Sequence, residues 1–364
     1  MNEIEKPWKL LMIKFEIPQS KRIQFEKIIR TQTPESASKL ATASLTRNEM
    51  IIIIEKSSPS SIIMACEKYI PDLYGLVSTV EDNNTLRLNE QLSFNWSSIA
   101  SKSFYSGFSL RFELIMNLVT YGFAHYNRAA EINDSSNEAN FDENAKLIIN
   151  HLKIAAGIYN FITSFEMPRW QHPPEDRPVE CHNNFILAMY ELCLSTALAV
   201  TVRKALKQGT SPGVISKLSC EAWHRAEMSK SFLKDLGSQF YKKLPKSLRT
   251  YYSTLIKLQH STTMMFMALN SKSQQNFGDA LGYFSIALPL LKVKKPSETR
   301  IANILNGLIT EIQNESNTFS KENEVIYFQK KSDPNSLEKP SPMAKSIINM
   351  ITFSPPCPSF IDIH

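Results

Sequence analysis

Seven histidines and five cysteines are the side chains most able to ligate a metal or act as nucleophiles in this 364-residue chain. The histidines are His125, His151, His172, His182, His224, His260 and His364, and none has a second histidine three or four residues away. That spacing is what would set two imidazoles on one face of a helix around a metal. Cys66, Cys181, Cys193, Cys220 and Cys357 are scattered, with no C-x-x-C pair. They suggest neither a zinc site nor a disulfide framework, and they fit a reducing compartment. His125 and His151 are expected at polar edges of helices.

Phosphate-binding motifs are also missing: no G-x-G-x-x-G or G-x-x-x-x-G-K-S/T occurs. GTSPG at 209–213 has the letters of G-x-S-x-G but falls at a helix exit with a proline near the next helix start, not on the strand-to-helix turn a nucleophile elbow needs. Arg111 and Glu113 lie amid large apolar residues in FSLRFELIMN, with Arg128 and Glu131 further along. These charges could form a buried pair or line a solvated stripe, and the stripe is expected. The chain therefore reads as a non-enzyme with no cofactor, no metal and no small-molecule substrate.

The elements that would position any site are helices. Only 10 glycines occur, whereas the 19 prolines gather near 168–178, 334–342 and 355–358, where helices should stop. From Phe108 onward, Leu110, Leu114, Ile115, Leu118, Val119, Gly122 and Phe123 recur at a helical period. Leu147, Ile148, Leu152, Ile154, Ala155, Ile158, Phe161 and Ile162 do the same after a polar break, with Asp142 placed to cap that helix. MPRWQHPPEDRP at 167–178 ends it. Further helices are expected over 180–207, 212–240, 247–270, 273–291 and 298–317. ENEVIYFQKK should be a helix end or a short extended segment.

Three segments carry less regular signals. KLLMIKFEI and the four isoleucines of EMIIIIEK look like strands of a small N-terminal sheet, since β-branched side chains favour extended backbone. SSIIMACEKYIPDLYGLV reads as a helix interrupted near Pro71. FILAMYELCLSTALAVTV, 185–202, holds one charge, Glu191. It is either a membrane span or, as expected here, a helix buried on every side.

The formal charge of +6 includes the clusters Lys242-Lys243, Lys292–Lys295 and Lys330-Lys331. They lack the interleaved aromatics of a nucleic-acid groove. A moderately basic surface suits contact with an anionic membrane or an acidic partner better. No nucleic acid is expected among the partners. The acidic start, MNEIEKPWKLLMIKF, does not resemble a signal peptide.

Three pieces, in order, carry a resemblance. These are the run from Phe94 to Phe165 with LKIAAGIYNFI at 152–162, AVTVRKAL followed by SPGVISKLSCEAWHRA, and NEVIYFQK at 323–330 with its proline-rich close. Together they resemble the BRO-domain family, and within it the members built of that domain alone. The resemblance covers about 94–358, the first ninety residues matching only in general character. It implies a mainly α fold: an elongated, banana-shaped helical solenoid with a tetratricopeptide-like core and a small N-terminal β-sheet. One domain would span 1–358, with 94–330 its helical core, 331–358 a proline-rich strap and 359–364 a short tail.

The family's members are adaptors of the endosomal sorting machinery. The resemblance implies a cytoplasmic protein recruited to endosomal membranes or the nuclear envelope. Its partner would be the C-terminal amphipathic helix of an ESCRT-III subunit of the charged multivesicular body protein type, held in a hydrophobic groove. Ile158, Phe161, Ile162, Phe165 and Met167, with Met189 and Leu192 on the next helix, fall where the family carries that groove. Each is equally a candidate for ordinary core packing. The rival reading is a helical scaffold for another peptide, as in pH-response signalling. Cys357 has seven residues after it, so the C-a-a-X prenylation box of the similar members is absent from this sequence.

Overall fold

The computed structural model describes residues 9–82, 92–294, 296 and 298–360. A one-turn helix, α1 (Phe25–Ile28), precedes two long ones, α2 (Pro34–Lys56) and α3 (Pro59–Asp82). Thr33 caps α2 by accepting from the Ser36 N–H, and Pro34 sits at its first position. β1 (Phe94–Ser98) and β2 (Ser101–Gly107) form one antiparallel ribbon in which Phe94 faces Gly107 and Ser98 faces Ser101.

Helices follow the ribbon. α4 (Leu110–Asp134) starts at a Ser109 cap and pairs with α5 (Phe141–Phe161). A π-helical turn, Ile162–Glu166, links α5 to the short α6 (Met167–Arg169). Then come α7 (Asn183–Lys207), α8 (Pro212–Lys234), the short α9 (Ser238–Lys243), α10 (Lys246–Ser273), α11 (Phe277–Leu290) and α12 (Thr299–Glu322). From α3 onward each long helix packs chiefly on the next one along the chain. That nearest-neighbour order makes an elongated helical solenoid.

Several expectations change. The isoleucine run is helical: it ends α2, where Leu40, Ala43, Arg47, Met50, Ile51 and Ile54 are buried at three- and four-residue spacing. Packing of that stripe against α3 overrides the β preference of branched side chains. Residues 9–17 are extended but join no sheet. Their backbone is satisfied by amide side chains of α4: Asn133 accepts from Leu10 N–H and donates to its carbonyl, and Asn127 does the same for Phe15. The sheet comes instead from 94–107. Pro71 lies inside an unbroken α3. The last residues of the expected tail, 361–364, lie outside the described residues, as do Lys295 and the N-terminal eight.

Arg111 and Glu113 do not face solvent. Glu113 is fully buried and meets Arg47 at 2.7 Å, while Trp96 Nε1–H donates to it at 2.6 Å and Tyr69 O–H at 3.3 Å. This hub ties α2, α3, β1 and α4 together. Arg111 pairs with buried Glu166. A charge in the interior needs such partners, because desolvation costs several kcal/mol per ion, about as much as the pairing returns.

α7 is the one helix among the described residues long and apolar enough to cross a membrane, and 78% of that stretch is buried inside the fold. Glu191, its single charge there, is bound by Arg225 of α8 at 2.9 Å. The helix serves as the core of the solenoid.

Candidate docking surface

After α12 the chain doubles back over the helices. Ser332 N–H donates to the Gly278 carbonyl of α11, and Tyr283 O–H donates to the Glu338 carbonyl. Further on, Ile351 N–H donates to the Lys153 carbonyl of α5, and Ser359 N–H donates to the Pro71 carbonyl of α3. The proline-rich segment is thus a strap seated on α11, α5 and α3. On α5 it sits so close that a β-carbon at Gly157 would lie 1.8 Å from the Ile351 oxygen. Glycine is what lets backbone meet helix there.

The strap contributes Phe353 to an aromatic ladder. Phe353 stands edge-on to Phe161 of α5 at 5.1 Å and to Tyr121 of α4 at 6.4 Å. Phe161 stacks in turn on Phe165 at 5.1 Å. Phe165 is the outer rung, 50% exposed. The π-turn explains its position. Glu166, the next residue, is drawn inward to Arg111 and to the Tyr74 hydroxyl at 3.3 Å, and Ile162 is buried, which leaves Phe165 facing out. Single π-turns of this kind are frequent at functional sites.

The seven residues singled out from sequence divide sharply. Ile158, Phe161, Ile162, Met189 and Leu192 are buried and belong to the core. Met167 is half-buried against that core, and Phe165 is exposed. Helical period located the apolar positions correctly but could not tell the face turned to α4 and α7 from the face turned outward. The surface on offer is therefore Phe165 with Met167, backed by Phe161. Leu147 on α5 and Ile347 and Ile351 on the strap are also exposed.

A second exposed apolar cluster was not anticipated. Past α12 a π-turn, Asn323–Tyr327, ends at Phe328 in the left-handed region with φ 52°. Asn323 holds the turn, donating to the Gln329 carbonyl at 3.0 Å and accepting from its N–H at 3.1 Å. Tyr327 stacks on Phe277 at 3.5 Å, while Val325, Ile326 and Phe328 face solvent. Four consecutive apolar residues among charged ones were the available signal.

The imidazoles of His125 and His151 sit on neighbouring helices with their Nδ1 atoms 2.9 Å apart, not at polar helix edges. Burial, and secondarily His151, push His125 down to about 3, so the pair shares one hydrogen bond between neutral rings. Among the described residues no three His, Cys, Asp or Glu side chains gather as a metal site, and all five cysteines are free thiols. The surface can pack against a partner; it offers no constellation for bond-making chemistry.

The molecule is thus a helical solenoid with a short β-ribbon, an aromatic rung exposed on its flank and a strap across its helices. Residues 15–358 match the BRO1-like domain, and the chain belongs to that family. Human BRO1 domain-containing protein BROX is 23% identical over 294 residues, spanning 75% of this chain and 69% of that protein. The orangutan (Pongo abelii) protein of the same name is 22% identical over 295 residues, with the same coverage. Among solved structures, the ALIX BRO1 CHMP4C complex superposes with a TM-score of 0.75 at 16% identity, covering 97% of this chain and 99% of that one. A BRO1 domain described for endosomal targeting gives 0.65 at 15% identity, covering 96% and 93%. The chain is a BRO1-domain protein, similar at a distance to BROX in sequence and to the ALIX BRO1 domain in fold.

Proposed function

We propose that this protein is an adaptor of the ESCRT pathway that receives the C-terminal amphipathic helix of an ESCRT-III subunit against the apolar flank at the end of α5. The observation that carries the reading is Phe165, a large aromatic side chain half exposed on a π-turn and stacked on a buried partner. The solved relative in complex with CHMP4C shares this fold over nearly the full chain, which supports the choice of partner. An incoming helix would set apolar side chains at i, i+3 and i+4 against Phe165 and Met167. Recruitment to endosomal or nuclear-envelope membranes would follow from the ESCRT-III partner.

The test is a titration of the intact protein with an ESCRT-III C-terminal peptide of the charged multivesicular body protein type. A second peptide of equal composition, with the apolar stripe scrambled, serves as the control. Saturable binding of the first and none of the second is expected. Failure of the first to bind at high micromolar concentration would remove the reading.

A further inference from the structure

The cationic charge of this chain is concentrated. Residues 230–257 hold Lys230, Lys234, Lys242, Lys243, Lys246, Arg249 and Lys257 against the lone acid Asp235, a surplus equal to the whole chain's formal +6. The fold gathers part of this charge around a cavity of about 370 Å³ between α9, α10 and the segment after α11. Its lining includes Lys246, Arg249 and Lys257 from one face of α10, and Lys294 from across the gap. Thr250 and Ser253 also line it, the Ser253 O–H donating to the Arg249 carbonyl at 3.1 Å, and no carboxylate lines it.

Three features make this more than a scatter of surface lysines. Arg249 lies over the Tyr241 ring, yet its Nε is sealed from solvent without a hydrogen-bond acceptor among the described residues. Arg249 as a whole is only partly buried, and its guanidinium makes no hydrogen bond or ion pair among the described residues, so an anion in the cavity would give it a partner. Like charges also crowd here: burial first, then Lys234 and Lys257, lower the Lys230 ammonium. Finally, Lys246 to Lys257 spans three turns of helix, about 16 Å, enough to contact several anionic groups of one ligand. A neighbouring cavity shares Lys246, Thr250 and Lys294; it adds Lys14 but also Glu16 and Glu298, the latter held by Arg300 at 2.7 Å.

We infer that the cavity between α9, α10 and Lys294 is a binding site for a multiply phosphorylated head group of the inositol polyphosphate class, free or carried by a lipid. Phosphate suits the mixture of lysine point charges, one arginine fork and the Thr250 hydroxyl. The site lies on different helices from Phe165 and does not depend on the peptide-docking proposal.

Calorimetric titration of the full chain with soluble inositol 1,4,5-trisphosphate tests this. One saturable site is expected. Lys257→Glu/Lys294→Glu, both exposed positions, should weaken it by roughly tenfold or more. Arg249→Lys keeps the charge, loses the planar guanidinium fork and should also weaken it. Lys27→Glu/Lys321→Glu, the same charge change at exposed lysines elsewhere, and Phe165→Asp should leave it intact. Vesicles of phosphatidylcholine with phosphatidylinositol 4,5-bisphosphate then separate the sources. Competition with the soluble head group marks a lipid ligand, and soluble binding without vesicle binding marks a free one; both support the site. Absence of any binding would overturn the inference, as would equal weakening by the two double charge reversals.

Discussion

Ile351 lays its carbonyl oxygen against Gly157, 1.8 Å from where a β-carbon would stand. This contact fixes the strap on α5 and brings Phe353 onto Phe161, two rungs below the exposed Phe165. The strap is therefore structural support for the candidate docking surface.

Gly157→Ala should force the strap off α5, because the obstacle is backbone and cannot rotate away. The expected loss is ~1–3 kcal/mol in chemical denaturation. Limited proteolysis should also cut faster within 340–358. Unchanged stability together with unchanged cleavage would contradict the seating.

The hub at Glu113 should be sensitive to loss of either charge. Arg47→Met or Glu113→Gln, each leaving an uncompensated or under-paired buried group, should cost ~3–5 kcal/mol by denaturant unfolding. Arg47→Met/Glu113→Leu should cost less than the sum of the single changes, since no charge is then left alone.

Glu180 gives stability a pH dependence of unusual sign. Burial pushes its carboxyl up to about 7 from an ordinary 4.5, despite hydrogen bonds from Ile99 N–H and Ser98. Between those values the unfolded chain has released the proton that the folded chain keeps. Stability from this group therefore falls as pH rises from 4.5 to 7. Glu180→Gln, which can still accept from Ile99 and meet Ser98, should gain on the wild type over that window by up to ~3 kcal/mol. Parallel stability profiles for the two proteins would refute this.

His125 behaves oppositely. Its depressed value near 3 means the folded state resists a proton that the unfolded chain takes up below about 6.5. The stability it provides is lost as pH falls through that range. An NMR titration should find the ring still neutral at pH 5, and protonation near 6 would contradict the buried pair.

Much of the architecture was legible because helices of this length carry several turns of apolar period and end at prolines. MPRWQHPPEDRP closes the α5 region, and the prolines after 334 mark the strap. The isoleucine run misled because a local β preference is weak beside a buried stripe that includes Arg47 and Ile54. Asn127 and Asn133 replace a strand's partners for residues 9–17, a pairing across more than a hundred residues that no local pattern reveals. The candidate site was legible only as a region. Which apolar residues face outward depends on one π-turn and on a buried Glu166–Arg111 pair, and neither follows from period. The Lys242-Lys243 and Lys292–Lys295 runs were visible as charge; the gathering of Lys246, Arg249, Lys257 and Lys294 on one cavity required the fold.

The most direct measurement compares wild type, Phe165→Leu and Phe165→Asp in fluorescence-anisotropy titrations with a labelled ESCRT-III C-terminal peptide, with melting curves recorded in parallel. Because Phe165 is half exposed, all three proteins should melt alike. Binding should weaken modestly for leucine and by tenfold or more for aspartate, an interfacial aromatic being worth ~2 kcal/mol or more. Equal affinity across the three, with folding intact, would contradict docking at the end of α5.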